Sequence, residues 1–335
     1  MKLSIGIVGL PNVGKSTLFK SLTNLDITIA NYPFATIDPN IGIVPVPDER
    51  RDKLAKMSES KKNIPAVVEF YDIAGLVKGA NQGEGLGNQF LNHIRETNAI
   101  VGVLRCFQSN EIIHVENSVD PLRDMEIINA ELALKDLDTI EKNLKKIEGE
   151  AKTGNKEAQK DLTVFNKAKE VLNKGEMLNK YPELQERVKL KELNLLTAKP
   201  QLYLLNGNES DVSEELKNKI KEIGSDYSIV DLGSGEVDLS DLIKKAYNLL
   251  GLISFFTTGE DETRAWTIKE GSKAPQAAGT IHTDFEKSFI RAEVVNWEKL
   301  LEATSWSKAK QKGWMRLEGK EYLVQDGDVI EVRHG

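Results

Sequence analysis

The sequence predicts an α/β nucleotide-binding domain with a mostly parallel sheet, an inserted α-helical hairpin and a C-terminal α+β module. Three observations carry this. Short apolar runs rich in Val and Ile alternate with helix-like stretches in the first third and resume near residue 201. A phosphate-loop pattern, G-x-x-x-x-G-K-S, stands at the first strand–helix junction. A charged, strand-free interval from about Pro121 to Lys199 separates the two halves of the alternating pattern.

The strand candidates are Ile5–Val8, Ile41–Val44, Val67–Ile73 and Ile100–Leu104, then Gln201–Leu205 and Ser228–Leu232. Within the interruption, Leu137, Ile140, Leu144 and Ile147 recur at three- and four-residue spacing, which is one apolar helix stripe. Thr153-Gly154-Asn155 breaks the run, and Leu162, Phe165 and Leu172 resume it, so an antiparallel hairpin is expected, a solvated arm suited to reach or docking. From about Ile253, Gly271, Gly279, Gly319 and Gly327 punctuate extended runs at Phe289–Val295, Glu321–Val324 and Val329–Val332. All four tryptophans lie there, more in keeping with a core than with a ligand platform. The expected domains are 1–120 with 197–250 for the nucleotide-binding domain, 121–196 for the helical insertion and 253–335 for the C-terminal module.

Composition narrows the function classes. The chain has 335 residues, 40% hydrophobic and 29% charged, with a net charge of −7. Bulk electrostatics therefore do not drive nucleic-acid binding, and any RNA contact must be local. One cysteine, Cys106, excludes an intramolecular disulfide framework. No run approaches a membrane span, and the chain opens almost directly on a buried strand. A cytoplasmic protein without membrane partners is expected.

The phosphate loop is Gly9-Leu10-Pro11-Asn12-Val13-Gly14-Lys15-Ser16, after an apolar strand and before the helical Thr17-Leu18-Phe19-Lys20. Backbone N–H groups at such a loop and helix start face phosphates. Lys15 is expected on the β- and γ-phosphates and the Ser16 hydroxyl on Mg2+. Asp72-Ile73-Ala74-Gly75 ends a core strand; Asp72 would hold Mg2+ and the Gly75 N–H would sense the γ-phosphate. Thr36, between the first helix and Asp72, is the candidate third metal contact. Leu76 stands where many GTPases place a water-orienting Gln, so unaided hydrolysis is expected to be slow.

Longer strings carry a family resemblance. Gly9–Phe19, Asn31-Tyr32-Pro33-Phe34, Asp72–Ala80, Gly83–Leu91, Arg105-Cys106-Phe107 and, near the C-terminus, Ala274–Gly279, Ile281–Glu286 and Asp326-Gly327-Asp328 resemble the YchF subfamily of Obg-related NTPases, the Obg-like ATPases. The resemblance spans essentially the whole chain. It implies a Ras-like domain with an inserted helical hairpin, a C-terminal TGS domain of β-grasp type, slow ATP hydrolysis and ribosome association. It also implies that His114 takes over part of the catalytic role, and Asn12 matches the asparagine of potassium-dependent relatives, so K+ joins Mg2+ as an implied cofactor.

Base choice stays open between two registers. Asn206-Gly207-Asn208-Glu209 stands where guanine readers carry N-K-x-D. Gly207 has no stem to cover a base, and a carboxylate aimed at adenine N1 is repelled, so this N-x-x-E resembles the family's ATP pattern. Asn208-Glu209-Ser210-Asp211 is literally N-x-x-D but starts two residues later and has Glu in place of Lys. The expected nucleotide set is Asn12, Val13, Gly14, Lys15, Ser16 and Thr17, with Asn206, Gly207, Glu209 and Ser234 near the base; Gly233-Ser234-Gly235 departs from the family's small apolar sequence. The catalytic set is Lys15, Gly75 and His114. Expected partners are ATP ahead of GTP and the ribosome with its rRNA, the chain acting as a monomer. An Obg-type GTPase and a nucleotide-gated RNA-binding adaptor with negligible hydrolysis are the alternatives.

Overall fold

A computed structural model describes residues 3–25, 40–73, 93–109, 112 and 114–335. In chain order the first elements are β1 (Ser4–Val8), α1 (Lys15–Thr23), β2 (Ile41–Pro45), α2 (Glu49–Met57), β3 (Lys62–Ile64), β4 (Val67–Asp72) and β5 (Ala99–Arg105). Two long helices follow, α3 (Pro121–Lys152) and α4 (Lys156–Asn173). The fold then returns to β6 (Gln201–Asn206), α5 (Glu214–Glu222), β7 (Asp226–Val230) and α6 (Ser240–Leu249). The last part holds β8 (Leu252–Thr258), β9 (Glu262–Lys269), α7 (Ala274–Ile281), α8 (Thr283–Lys287), β10 (Phe289–Asn296), α9 (Trp297–Ala303), α10 (Trp306–Gln311), β11 (Arg316–Glu318) and β12 (Asp328–His334).

The first sheet has the order β2-β4-β1-β5-β6-β7. Its β1–β4, β1–β5, β5–β6 and β6–β7 pairings are all parallel. Strands β1, β5 and β6 are buried along their whole length, which is why they read as continuous apolar runs rather than as alternation. Parallel pairing sends the carboxyl ends of β4, β1, β5, β6 and β7 to the same edge, where ligands of open α/β sheets bind. Val8 lies beside Gly102 there, and Arg105 beside Asn206.

The expected hairpin is present: α3 and α4 are joined through Thr153 and Gly154, with Asn155 capping α4 through its side chain. Ile140, Leu144, Ile147, Phe165 and Leu172 form its apolar seam. The arm is tied to the sheet's other end by polar contacts. Asp136, fully buried on α3, accepts from the N–H groups of Leu196 (3.0 Å) and Thr197 (2.8 Å) and from the Thr197 hydroxyl (2.7 Å). Lys199 Nζ donates to the carbonyls of Arg95 and Thr97.

The chain divides into two compact units, Met1–Asn24 with Thr36–Gly42 and Glu69–Ala246, and Leu25–Ala35 with Ile43–Val68 and Tyr247–Gly335. The second unit is larger than the C-terminal module delimited from sequence, because it recruits Ile43–Val68. Its mixed sheet has the order β11-β10-β12-β8-β9-β3, so the short β3 joins as an edge strand parallel to β9. Arg50 of α2 pairs with Asp48 (2.8 Å) and Asp326 (2.6 Å) and lies over the Phe256 ring. Two local expectations shift. The strand read at Ser228–Leu232 runs over Asp226–Val230, and Glu321–Val324 is a turn with an isolated bridge between Lys273 and Leu323 rather than a strand. No helix among the described residues is long and apolar enough to cross a membrane.

Candidate nucleotide site

The phosphate loop leaves β1 and closes on α1 with little room. A Cβ at Gly9 would meet the Val103 carbonyl oxygen at 2.7 Å. Gly14 caps α1 with φ +108°, and a Cβ there would meet the Asn206 amide nitrogen at 2.5 Å, so both glycines are required by geometry. Asn12 also takes a positive φ of 62°, a conformation asparagine tolerates. Val13 is buried, whereas Ser16 and Thr17 are exposed at the helix start.

Lys15 is the charged centre of the loop. It is 8% exposed, and its Nζ donates to the Leu10 carbonyl at 2.7 Å. Burial lowers its pKa to about 8, against the opposing attraction of Asp72 at the end of β4. Burial also raises the Asp72 carboxyl, and Lys15 partly offsets that. A partly desolvated cation held beside one carboxylate, under a row of backbone N–H groups, is suited to receive a polyphosphate.

Asn206, at the end of β6, fastens the loop to the opposite wall. Its Nδ2 donates to the Val13 carbonyl at 2.9 Å and its Oδ1 accepts from the Leu232 N–H at 3.1 Å. Next to it, Gly207 is packed so closely that a Cβ would meet Asp211 Oδ2, Cys106 Cβ and the Phe107 nitrogen, each at 3.2 Å.

The residues expected nearer the base are more open. The Glu209 side chain is 72% exposed and accepts from Lys217 Nζ at 2.6 Å. Asp211, the carboxylate of the competing register, folds back to accept from the Asn208 N–H at 2.8 Å and closes a capping box. The Ser234 hydroxyl lies between the carbonyls of Asp231 (2.8 Å) and Glu236 (2.9 Å), sharing its one proton with them, on an exposed loop. Thr36, Gly75 and Leu76 lie outside the described residues.

His114 is buried against α3. Its Nε2 approaches Asp124 Oδ2 to 2.8 Å, a close polar contact that is not aligned as a hydrogen bond, and its Nδ1 accepts from the Glu116 N–H at 3.2 Å. Two residues of this region carry roles that sequence reasoning did not assign. Arg105 is fully buried and donates to the carbonyls of Phe107 (3.1 Å), Ile112 (3.0 Å) and Ser109 (3.4 Å), pinning the loop that leads to His114. Its signal was a cation closing an apolar strand. Asp124 had none, since an acid in a first helical turn is ordinary.

Residues 252–335 match the family model YchF-GTPase_C, described as a protein of unknown function (DUF933). Residues 4–167 match the model described as 50S ribosome-binding GTPase. The chain is 47% identical to the "Ribosome-binding ATPase YchF" of Bacillus subtilis, over 99% of both chains. The chain belongs to the YchF family. The Haemophilus influenzae protein of the same name is 45% identical, again over 99% of both chains. The solved structure of the Schizosaccharomyces pombe YchF GTPase superposes with a TM-score of 0.85 at 37% identity, covering 99% of this chain and 98% of that one. The YchF architecture, a P-loop domain followed by the family's C-terminal domain, is therefore the one expected from sequence.

Proposed function

We propose that this YchF-family chain is a ribosome-associated P-loop ATPase that hydrolyses ATP to ADP and phosphate, slowly until activated. The observation that carries the reading is the coupled arrangement of Lys15, Asp72 and Asn206 at one end of the parallel sheet. The relatives' names pair ATP hydrolysis with ribosome binding, while the solved relative is named a GTPase. The base loop favours ATP. Asp211, which alone could restore a guanine-reading carboxylate, is committed to the Asn208 N–H, and Gly207, tightly packed at a φ of +157°, has no stem to cover a base.

In this reading the backbone of Asn12, Val13 and Gly14 and the start of α1 at Ser16 and Thr17 cradle the phosphates. Lys15 exchanges the Leu10 carbonyl for phosphate oxygens and neutralises charge as it moves outward in the transition state. Ser16 and Asp72 fit Mg2+, which takes few protein oxygens beside phosphate and water; Thr36 is assigned as its further contact. When bound, the ion supplies charge neutralisation at the β- and γ-oxygens. Asn12 is assigned to K+ and Gly75 to the γ-phosphate. Asn206 and Gly207 shape the base pocket, with Glu209 and Ser234 at its rim. His114 acts on the attacking water once released from α3. The protein works as a cytoplasmic monomer with the ribosome and its rRNA as partner.

Phosphate release from Mg–ATP by the purified chain, with and without ribosomes, tests the reading. Turnover that rises on adding ribosomes supports it. Absence of turnover under both conditions would favour a non-hydrolysing adaptor.

A further inference from the structure

Asp124 is fully buried in the first turn of α3. Its Oδ1 accepts from Arg123 Nε at 3.3 Å and Nη2 at 2.9 Å, and its Oδ2 faces His114 Nε2 at 2.8 Å. The other ring nitrogen accepts from the Glu116 N–H. An imidazole that accepts at Nδ1 places its N–H on Nε2, the nitrogen packed 2.8 Å from the buried carboxylate without being aligned on it. The His114 side chain is 2% exposed, its Nδ1 accepts from Glu116 and its Nε2 is covered by Asp124. A group that orients or deprotonates water must come within about 3 Å of it, and this ring presents no nitrogen to solvent.

We propose that Asp124 is a positioning residue that holds His114 in an off state, and that displacement of the first turn of α3 releases the ring toward the nucleotide. The inference rests on the reading of His114 as the water-directing residue. The geometry of α3 supplies the means. Asp136, held by Leu196 and Thr197, is a fixed point on that helix. At 1.5 Å per residue, Asp124 lies about 18 Å to one side of it and the end at Lys152 about 24 Å to the other. Met125, Ile128 and Leu132 pack the stretch between Asp124 and Asp136 into the core and Asn129 accepts from the Tyr203 hydroxyl, so a tilt about the anchor is a slide against that packing, and a shift of roughly 1–2 Å at Asp124 is enough to break the contact. Arg105 meanwhile keeps the base of the His114 loop in place. Contact of the arm's far end with a ribosome would thereby reach the catalytic side chain.

The test compares full-length Asp124→Asn, Asp124→Ala, His114→Ala and the double variant His114→Ala/Asp124→Ala. Steady-state ATP hydrolysis is measured with and without purified ribosomes, and ATP affinity by titration. A lock predicts that both single Asp124 variants raise basal turnover by roughly three- to tenfold, with a smaller ribosome stimulation and ATP affinity within about twofold. The double variant should fall to the His114→Ala rate. If the Ala variant fails to fold, the isosteric Asn variant decides. Asp124 variants that leave basal turnover unchanged or lower it, while His114→Ala lowers it, overturn the lock alone. A His114→Ala protein with unchanged turnover removes the reading of His114 itself, and the lock with it.

Discussion

The Asn206 side-chain amide donates to the Val13 carbonyl at 2.9 Å and accepts from the Leu232 N–H, joining the phosphate loop to the segment that follows β7. The residue that reads as a base contact is also a clamp on the loop. Asn206→Ala leaves a buried carbonyl and a buried N–H without partners, at about 1–3 kcal/mol each. Thermal unfolding should shift down, and ATP affinity should fall by about tenfold or more. Asn206→Asp should do as badly, because a carboxylate cannot donate to Val13.

Lys15 makes nucleotide binding depend on pH. Its pKa of about 8 in the free protein lies below the ordinary 10.5, and phosphate contact must raise it. ATP affinity is therefore greatest below about pH 8 and declines as pH rises through that value. Calorimetry in buffers of different ionisation enthalpy should show proton uptake on binding near pH 8.5. Folding of the free protein runs the other way. The depressed pKa gives a stabilising contribution that is complete above 10.5 and lost as pH falls through about 8, so Lys15→Met should not lower the melting temperature of the free protein while abolishing ATP hydrolysis.

Asp211 distinguishes the two base registers. Its carboxylate is bonded to the Asn208 N–H, so Asp211→Ala should cost about 1 kcal/mol of stability through the lost cap and leave the ATP-to-GTP affinity ratio within about twofold. A selective loss of GTP binding would show that Asp211 reads a guanine.

Asp136 anchors the arm through three hydrogen bonds in a fully buried setting. Asp136→Ala strands three donors, so a destabilisation of about 3–5 kcal/mol is expected in chemical denaturation. Nucleotide affinity of the folded fraction should change little, because the anchor lies at the opposite end of the sheet from Lys15.

Much of this was legible in the chain because the relevant signals are local. Strands β1, β5 and β6 are continuous apolar runs, the hairpin seam repeats at helical spacing, and the phosphate loop is fixed by glycines at Gly9 and Gly14. What was not legible depends on packing and on side-chain partners that residue type does not announce. Lys62–Ile64 shows no alternation over three residues and becomes a strand only beside β9. Helix α2 buries only Leu54 and Ala55 among its nine residues, so its charges mask its place in the second unit. Glu321–Val324 has strand-forming residues but turns instead, with Tyr322 bonded to Asp328. In the site, the residue types of Asn206 and Asp211 were readable, but their commitments to Val13 and Asn208 were not. The burial of His114 against Asp124 likewise arises from packing across ten positions of chain.

The switch we propose for this P-loop is driven by ATP. Its most direct test is a side-by-side titration of the purified chain with Mg–ATP and Mg–GTP under identical salt and pH. ATP should bind more tightly, with GTP weaker by about tenfold, a difference of about 1.4 kcal/mol. Tighter binding of GTP would contradict it.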